Sequence, residues 1–167
     1  MVATAVNNLG NIYGKMRKND SALYYYRQAK PLWLKADDYD GLCETTLGMA
    51  KIFRALGMQD SSLFYARQSI SAGWHGGFTM RVLNASQFLT TYFKQQGQTD
   101  SAFRYLEVSV AAKDSLFSQE KNKEVQNLFF AQRQRESDIK EKETAYRANV
   151  RFYLLVAVIV FLLVLAF

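Results

Sequence analysis

Two residues that commonly act as nucleophile, acid–base group or metal ligand occur once each in this chain, the histidine His75 and the cysteine Cys43. A lone imidazole cannot build a metal site. One thiol forms neither an intramolecular disulfide nor a cysteine-rich metal centre. His75 stands in Gly73-Trp74-His75-Gly76-Gly77, whose glycines predict a loop between structural units. Cys43 lies on a predicted helix and reads as a small buried residue. No GxxxxGK[ST], GxGxxG, GxSxG, HExxH or CxxC pattern occurs. The sequence therefore predicts no catalytic residue, no metal and no cofactor, and points to binding.

The elements that would carry a binding surface repeat every forty residues. Tyr13 to Leu23 returns as Phe53 to Leu63 and again as Phe93 to Phe103, with aspartates at 20, 60 and 100. A fixed period of this size is the mark of a solenoid of supersecondary units, and solenoids bind partners along extended concave faces. Apolar residues at offsets of three and four (Leu9, Ile12, Tyr13; Met49, Ile52, Phe53; Leu89, Tyr92, Phe93) predict a helix before each turn. Gly57 and Gly97 suit its left-handed closing residue, where the first unit has Arg17. The Asp-Ser pair after each turn suits an N-cap and first turn. Ala22, Tyr26 and Ala29 then mark a second helix, expected to run on through Pro31 towards Asp40 with a bend at the proline. Of Tyr24, Tyr25 and Tyr26, one or two must face outward.

Leu9-Gly10, Tyr13, Ala22, Tyr26 and Ala29 resemble the pattern of a tetratricopeptide repeat. The later units match it more loosely, with Ser62, Ala66 and Ser69, then Ala102, Leu106 and Ser109. The forty-residue period resembles the longer variety of that repeat. The resemblance implies a right-handed stack of three helical pairs and a protein or peptide ligand in its groove. It places ligand contacts at Asn7, Asn11 and Lys15 of the first unit, Glu44, Lys51 and Arg54 of the second, and Asn84, Gln87, Thr91 and Lys94 of the third. The same residues would also serve as a solvated polar face. Their order does not reproduce the clamp that some members use for a terminal carboxylate.

The chain has 167 residues, of which 49% are hydrophobic and 14% aromatic, enough to bury a core. Its net charge of +6 is spread out and contains no run of five basic residues, which argues against nucleic-acid binding by this segment. The expected domains are a repeat solenoid over 1–114, a connector helix over 115–151 and a membrane span over 152–167. Residues 115–151 are polar and free of Gly and Pro, and Val125, Gln132, Ile139 and Tyr146 fall on a seven-residue spacing with Leu128 and Phe129 beside them. That is half a coiled-coil pattern, which suits either a dimerising signalling helix or a cap followed by a solvated rod. As a helix it would reach ~50 Å, long for a cap. From Phe152 to Phe167 sixteen residues pass without a charge, flanked by Arg147 and Arg151. A helix needs about 20 such residues to cross a bilayer, so the run reads as a transmembrane helix cut short by the chain end. The start, directly in a repeat helix, suggests repeats upstream.

Repeats, charged helix and one span, in that order, resemble the front half of tetratricopeptide-type sensor histidine kinases of Bacteroidetes. The stretches Ala112 to Phe117, Glu120 to Asn122 and Arg147 to Tyr153 carry the likeness. The fold expected is therefore all-α. The function the resemblance implies is the sensor and anchor segment of a signalling protein whose catalytic part lies elsewhere. A homodimer through 115–151 and a single-pass location in the bacterial inner membrane go with it. Membrane-bound helix-turn-helix regulators share this front half, and a tail-anchored scaffold also fits. The likeness puts the repeats in the periplasm. Six basic against four acidic residues in 133–151 point the other way, towards the cytoplasm.

Overall fold

The computed structural model describes the backbone of residues 2–166, and the side chains of these except 145, 148 and 150–166. It is all helical, with α1 Val2–Lys15, α2 Asn19–Lys35, α3 Tyr39–Ala55, α4 Gln59–Gly76, α5 Thr79–Gln95 and α6 Thr99–Ala166. Two compact units divide it, Met1–Ser118 and Gln119–Phe167. Among the described residues no helix is long and apolar enough to cross a membrane. The span expected at 152–167 lies outside the described side chains.

In the first unit consecutive helices pack against each other, and α3 also touches α1 on one side and α5 on the other, which sets the three side by side along one face. All five turns are built alike. In each, an N–H just past the helix (three residues on, two after α4) reaches back to a carbonyl five positions earlier, as in Lys18 to Tyr13 (2.9 Å), Asp38 to Trp33 (3.0 Å) and Met58 to Phe53 (2.9 Å). The residue before that N–H adopts positive φ: Arg17, Asp37, Gly57, Gly77 and Gly97, spaced by twenty. This is the Schellman closure, favoured by glycine because it lacks the Cβ that crowds a left-handed backbone. Arg17, at φ 58°, makes the same turn as its glycine counterparts.

Several local expectations change. α2 does run through Pro31, but it ends at Lys35, and Asp38 starts α3 by accepting the Gly41 N–H at 2.9 Å. The caps of α2 and α4 are Lys18 and Met58, without side-chain bonds. Asp20 and Asp60 instead stand in the first turn, where a carboxylate faces the positive end of the helix dipole. His75 is not in a loop. It occupies the last turn of α4, its ring 4.5 Å from that of Tyr39. Of the nearby glycines only Gly77 serves a turn. A Cβ on Gly73 would stand 2.6 Å from Val82, and one on Gly76 2.5 Å from Tyr39, so these two permit close helix approach.

The core repeats with the turns. Tyr13 stacks on Tyr25 at 5.3 Å, Phe53 on Tyr65 at 5.3 Å and Phe93 on Tyr105 at 5.5 Å, one pair per hairpin. Tyr26 is buried, Tyr25 half-buried and Tyr24 exposed. Ala22, Leu23 and Tyr26 pack on Met49, Ile52 and Phe53; Ala29 and Trp33 on Leu42, Cys43 and Ala72. The looser family match of the later units has a polar cause. Ser62 and Ser69 are fully buried and donate to the carbonyls of Ala50 (2.8 Å) and Cys43 (2.9 Å). In α1 the pattern inverts. Leu9 is 38% exposed, whereas Met49 and Leu89 at the same register are 1% and 0%.

Candidate functional site

The groove formed by α1, α3 and α5 has a volume of about 710 Å³, within the range of ligand sites. Its floor is Tyr26 of α2. The ring lies where two glycines make room: a Cβ on Gly10 would stand 2.6 Å from it, and one on Gly48 also 2.6 Å. This slot lets the phenol reach from the core into the groove, where it donates to Asn11 Oδ1 at 2.8 Å. Burial, then the Glu44 charge, push its pKa up to about 12, so it remains a donor.

Glu44 is the centre of the polar surface. Its Oε1 accepts from Asn7 Nδ2 (3.1 Å) and Asn11 Nδ2 (2.7 Å), and its Oε2 faces Arg81 Nη2 at 3.3 Å. Arg81 also grips Asp40 with both branches of its fork, at 2.6 and 2.9 Å. Those bonds and the guanidinium charge hold the Asp40 carboxyl below its usual range. Inward, the Trp33 indole donates to Thr45 Oγ1 (2.9 Å), which donates to Asn7 Oδ1 (2.7 Å). One chain of bonds thus runs from the core through Asn7 and Glu44 to Arg81 and crosses all three groove helices. Bidentate, charge-assisted contacts of this kind fix geometry.

Of the ten expected contact residues, Asn11, Lys15, Glu44, Lys51, Asn84 and Gln87 line the groove together. Asn7 lies beneath it, 2% exposed, as a buried support rather than a contact surface. Arg54 stands apart from the lining. It lies over the rings of Phe88 (5.4 Å) and Tyr92 (5.7 Å) and donates to Gln95, joining α3 to α5. Thr91 and Lys94 are exposed outside the lining. The ammonium groups of Lys15 and Lys51 make no ion pair among the described residues, while the acid of the lining, Glu44, is matched by Arg81. Arg81 is shared with Asp40, so with that carboxylate counted the groove carries a net +1, and it presents the two ammonium groups with the amides of Asn84 and Gln87. Cations lining a concave wall raise the local concentration of anionic groups.

Arg81, Asp40 and Tyr26 were not among the expected contacts. A signal for Arg81 exists in the numbering: Glu44 follows Asn7 by 37 positions, and Arg81 follows Glu44 by 37. Among the described residues no group of acidic, His and Cys side chains could hold a metal ion. Cys43 is fully buried, its thiol donating to the Ser69 carbonyl, and burial raises its pKa to about 11. This thiol is placed for packing, not nucleophilic attack.

Residues 1–73 match the family model for the tetratricopeptide repeat. The match covers α1 to α3 and most of α4, the helices that supply the Glu44 centre and the Tyr26 floor. No curated protein matches the chain. The chain is thus an all-α helical repeat protein whose residues 1–73 are similar to tetratricopeptide repeats. Such repeats generally mediate protein–protein contact.

Proposed function

We propose that this chain is the sensor and anchor segment of a membrane signalling protein, which captures a protein or peptide carrying acidic side chains in the α1–α3–α5 groove. The convergence of Lys15, Lys51, Asn84 and Gln87 around the braced Glu44–Arg81 centre carries the reading. A rigid, polar, net-positive groove suits an extended acidic segment, its carboxylates meeting the ammonium groups and its backbone the amides. The reading assigns no catalysis to this segment. The uncharged run 152–167 acts as a single span in a bacterial inner membrane with the repeats on the periplasmic side, and α6 pairs two copies and carries the signal. The parent would be a sensor histidine kinase, or a helix-turn-helix regulator.

A phage-displayed random peptide library panned against the chain tests the groove. Enriched peptides should be acidic, lose binding to Lys15→Glu/Lys51→Glu, and keep it to Lys94→Glu. Enriched peptides that bind the double variant unchanged would rule the groove out. Carbonate-resistant sedimentation with membranes, and protease digestion from the periplasmic side, test the anchor and its orientation. The coding sequence past Phe167 separates the parents: a histidine-bearing dimerisation helix with an ATP-binding domain supports the kinase, a DNA-binding motif the regulator, and a stop codon would sink both.

A further inference from the structure

Between α2 and α4, floored by α3, lies a second hollow of about 300 Å³. It sits away from the groove: Leu42 on its floor and Glu44 in the groove point about 160° apart around α3. Leu42 and Ala72 form the floor, and both are buried. Lys30 reaches in from α2, and Gln68, Ser71 and His75 from α4. The furrow continues towards the start of α4 as a hollow of about 430 Å³ that shares Gln68 and Ser71. One repeat on, at forty-residue offsets in α4 to α6, the floor is kept as Val82 and Ala112. There, however, Ile70, Val108, Ala111 and Ser115 replace Lys30, Gln68, Ser71 and His75. The stack thus fills the equivalent positions without a cation or an amide, and packing alone does not call for either.

Two groups in the hollow lack a partner of the kind they call for. Lys30 forms no ion pair among the described residues. Its ammonium group lies over the Tyr65 ring at 5.3 Å, and burial lowers its pKa. Gln68 Oε1 is buried and accepts no hydrogen bond. No carboxylate lines the hollow. Asp37 and Asp38 line a separate one of about 10 Å³ at the α2–α3 turn, where Asp38 holds the Gly41 N–H. Asp60 lies in the continuation along α4, together with Arg67. A partly desolvated cation favours an anion, an orphaned acceptor favours an N–H, and the Leu42–Ala72 floor favours apolar bulk. We infer that this furrow binds a small apolar acid with an N–H beside its carboxylate, the carboxylate on Lys30 and the N–H on Gln68. The exposed Ser71 hydroxyl and His75 imidazole stand at the rim, where they can donate to the second carboxylate oxygen.

Ligand-observed NMR titration of the full chain in detergent tests the site. The probe is N-acetyl-leucine, with its amide, N-acetyl-leucinamide, as the uncharged counterpart. On the unaltered chain the acid should bind roughly tenfold more tightly than the amide, as a carboxylate held by an ammonium group does. Lys30→Ile installs the residue that the next unit carries at this position, so the fold is kept, and it should remove the preference for the acid. Gln68→Val, chosen on the same ground, should weaken the acid about fivefold. Equal binding of acid and amide, a preference that survives Lys30→Ile, or no binding of the acid at all would each overturn the site. The groove variant Lys15→Glu/Lys51→Glu should bind the acid as the unaltered chain does, and Lys30→Ile should keep the peptides that the groove selects. Loss of the acid in the groove variant alone would place it in the groove and overturn the furrow, so failure of one site is distinguishable from failure of the other.

Discussion

Replacing Glu44 separates its role as an acceptor from its role as a charge. In Glu44→Ala three donors lose a partner. Arg81 keeps Asp40, and Asn11 opens onto the groove where water replaces the lost bond. Asn7 has no such access, being 2% exposed with its Oδ1 already engaged by Thr45. An unsatisfied buried donor costs about 1–3 kcal/mol, so the total should be about 2 kcal/mol. For a unit of this size that lowers the melting temperature by roughly 8 °C. Glu44→Gln retains a carbonyl for both asparagines and loses the charge facing Arg81, and should cost about 0.5–1 kcal/mol. Thermal melts followed by tryptophan fluorescence compare the two, because the Trp33 indole ends the same chain of bonds. Equal losses in both variants, or no loss in Glu44→Ala, would refute the assignment of Glu44 Oε1 as the anchor of Asn7.

The turn geometry predicts a stabilising change. Arg17→Gly relieves a left-handed strain of about 1–2 kcal/mol against a glycine entropy cost of about 0.5–1 kcal/mol, for a net gain of about 0.5–1 kcal/mol. A lower melting temperature for Arg17→Gly would show that the side chain contributes more than its backbone costs. Alkaline pH should destabilise the repeat unit. Tyr26 and Cys43 have folded pKa values raised to about 12 and about 11 from 10.0 and 9.0. Their contribution is complete below about pH 8, and Cys43 loses its share between about pH 8 and 11 and Tyr26 between about pH 9 and 12, each at most about 2.7 kcal/mol. Urea midpoints should therefore drop between about pH 8 and 12, and less so in Tyr26→Phe; a flat profile would contradict the burial of both groups.

What the sequence disclosed follows from which interactions are local. A helix needs only its own apolar spacing, so Leu9, Met49 and Leu89 marked three helices correctly although only the last two are covered. A turn needs one residue at positive φ, and glycine announced it at 57 and 97, while Arg17 and Asp37 adopt the same conformation without the announcement. The twenty-residue step between turns was therefore hidden beneath the forty-residue one, and α2 was extended past Lys35. The glycines beside His75 misled for the converse reason. Gly73 and Gly76 are set by what lies across from them, Val82 and Tyr39, and no local pattern distinguishes a glycine kept for close approach from one kept for a turn. The groove divides the same way. The resemblance to the repeat placed Asn11, Lys15, Glu44, Lys51, Asn84 and Gln87 on a common face, and they line the groove together. Whether a polar residue on that face meets a ligand or its neighbours depends on depth and on partners from the next helix. That distinction turned Asn7 into a support and Arg54 into a strut, and brought Arg81 to the centre although only the 37-residue step from Asn7 to Glu44 pointed to it. A residue of a repeat is thus readable up to the face it occupies, and its role on that face is decided by contacts about 37 positions away.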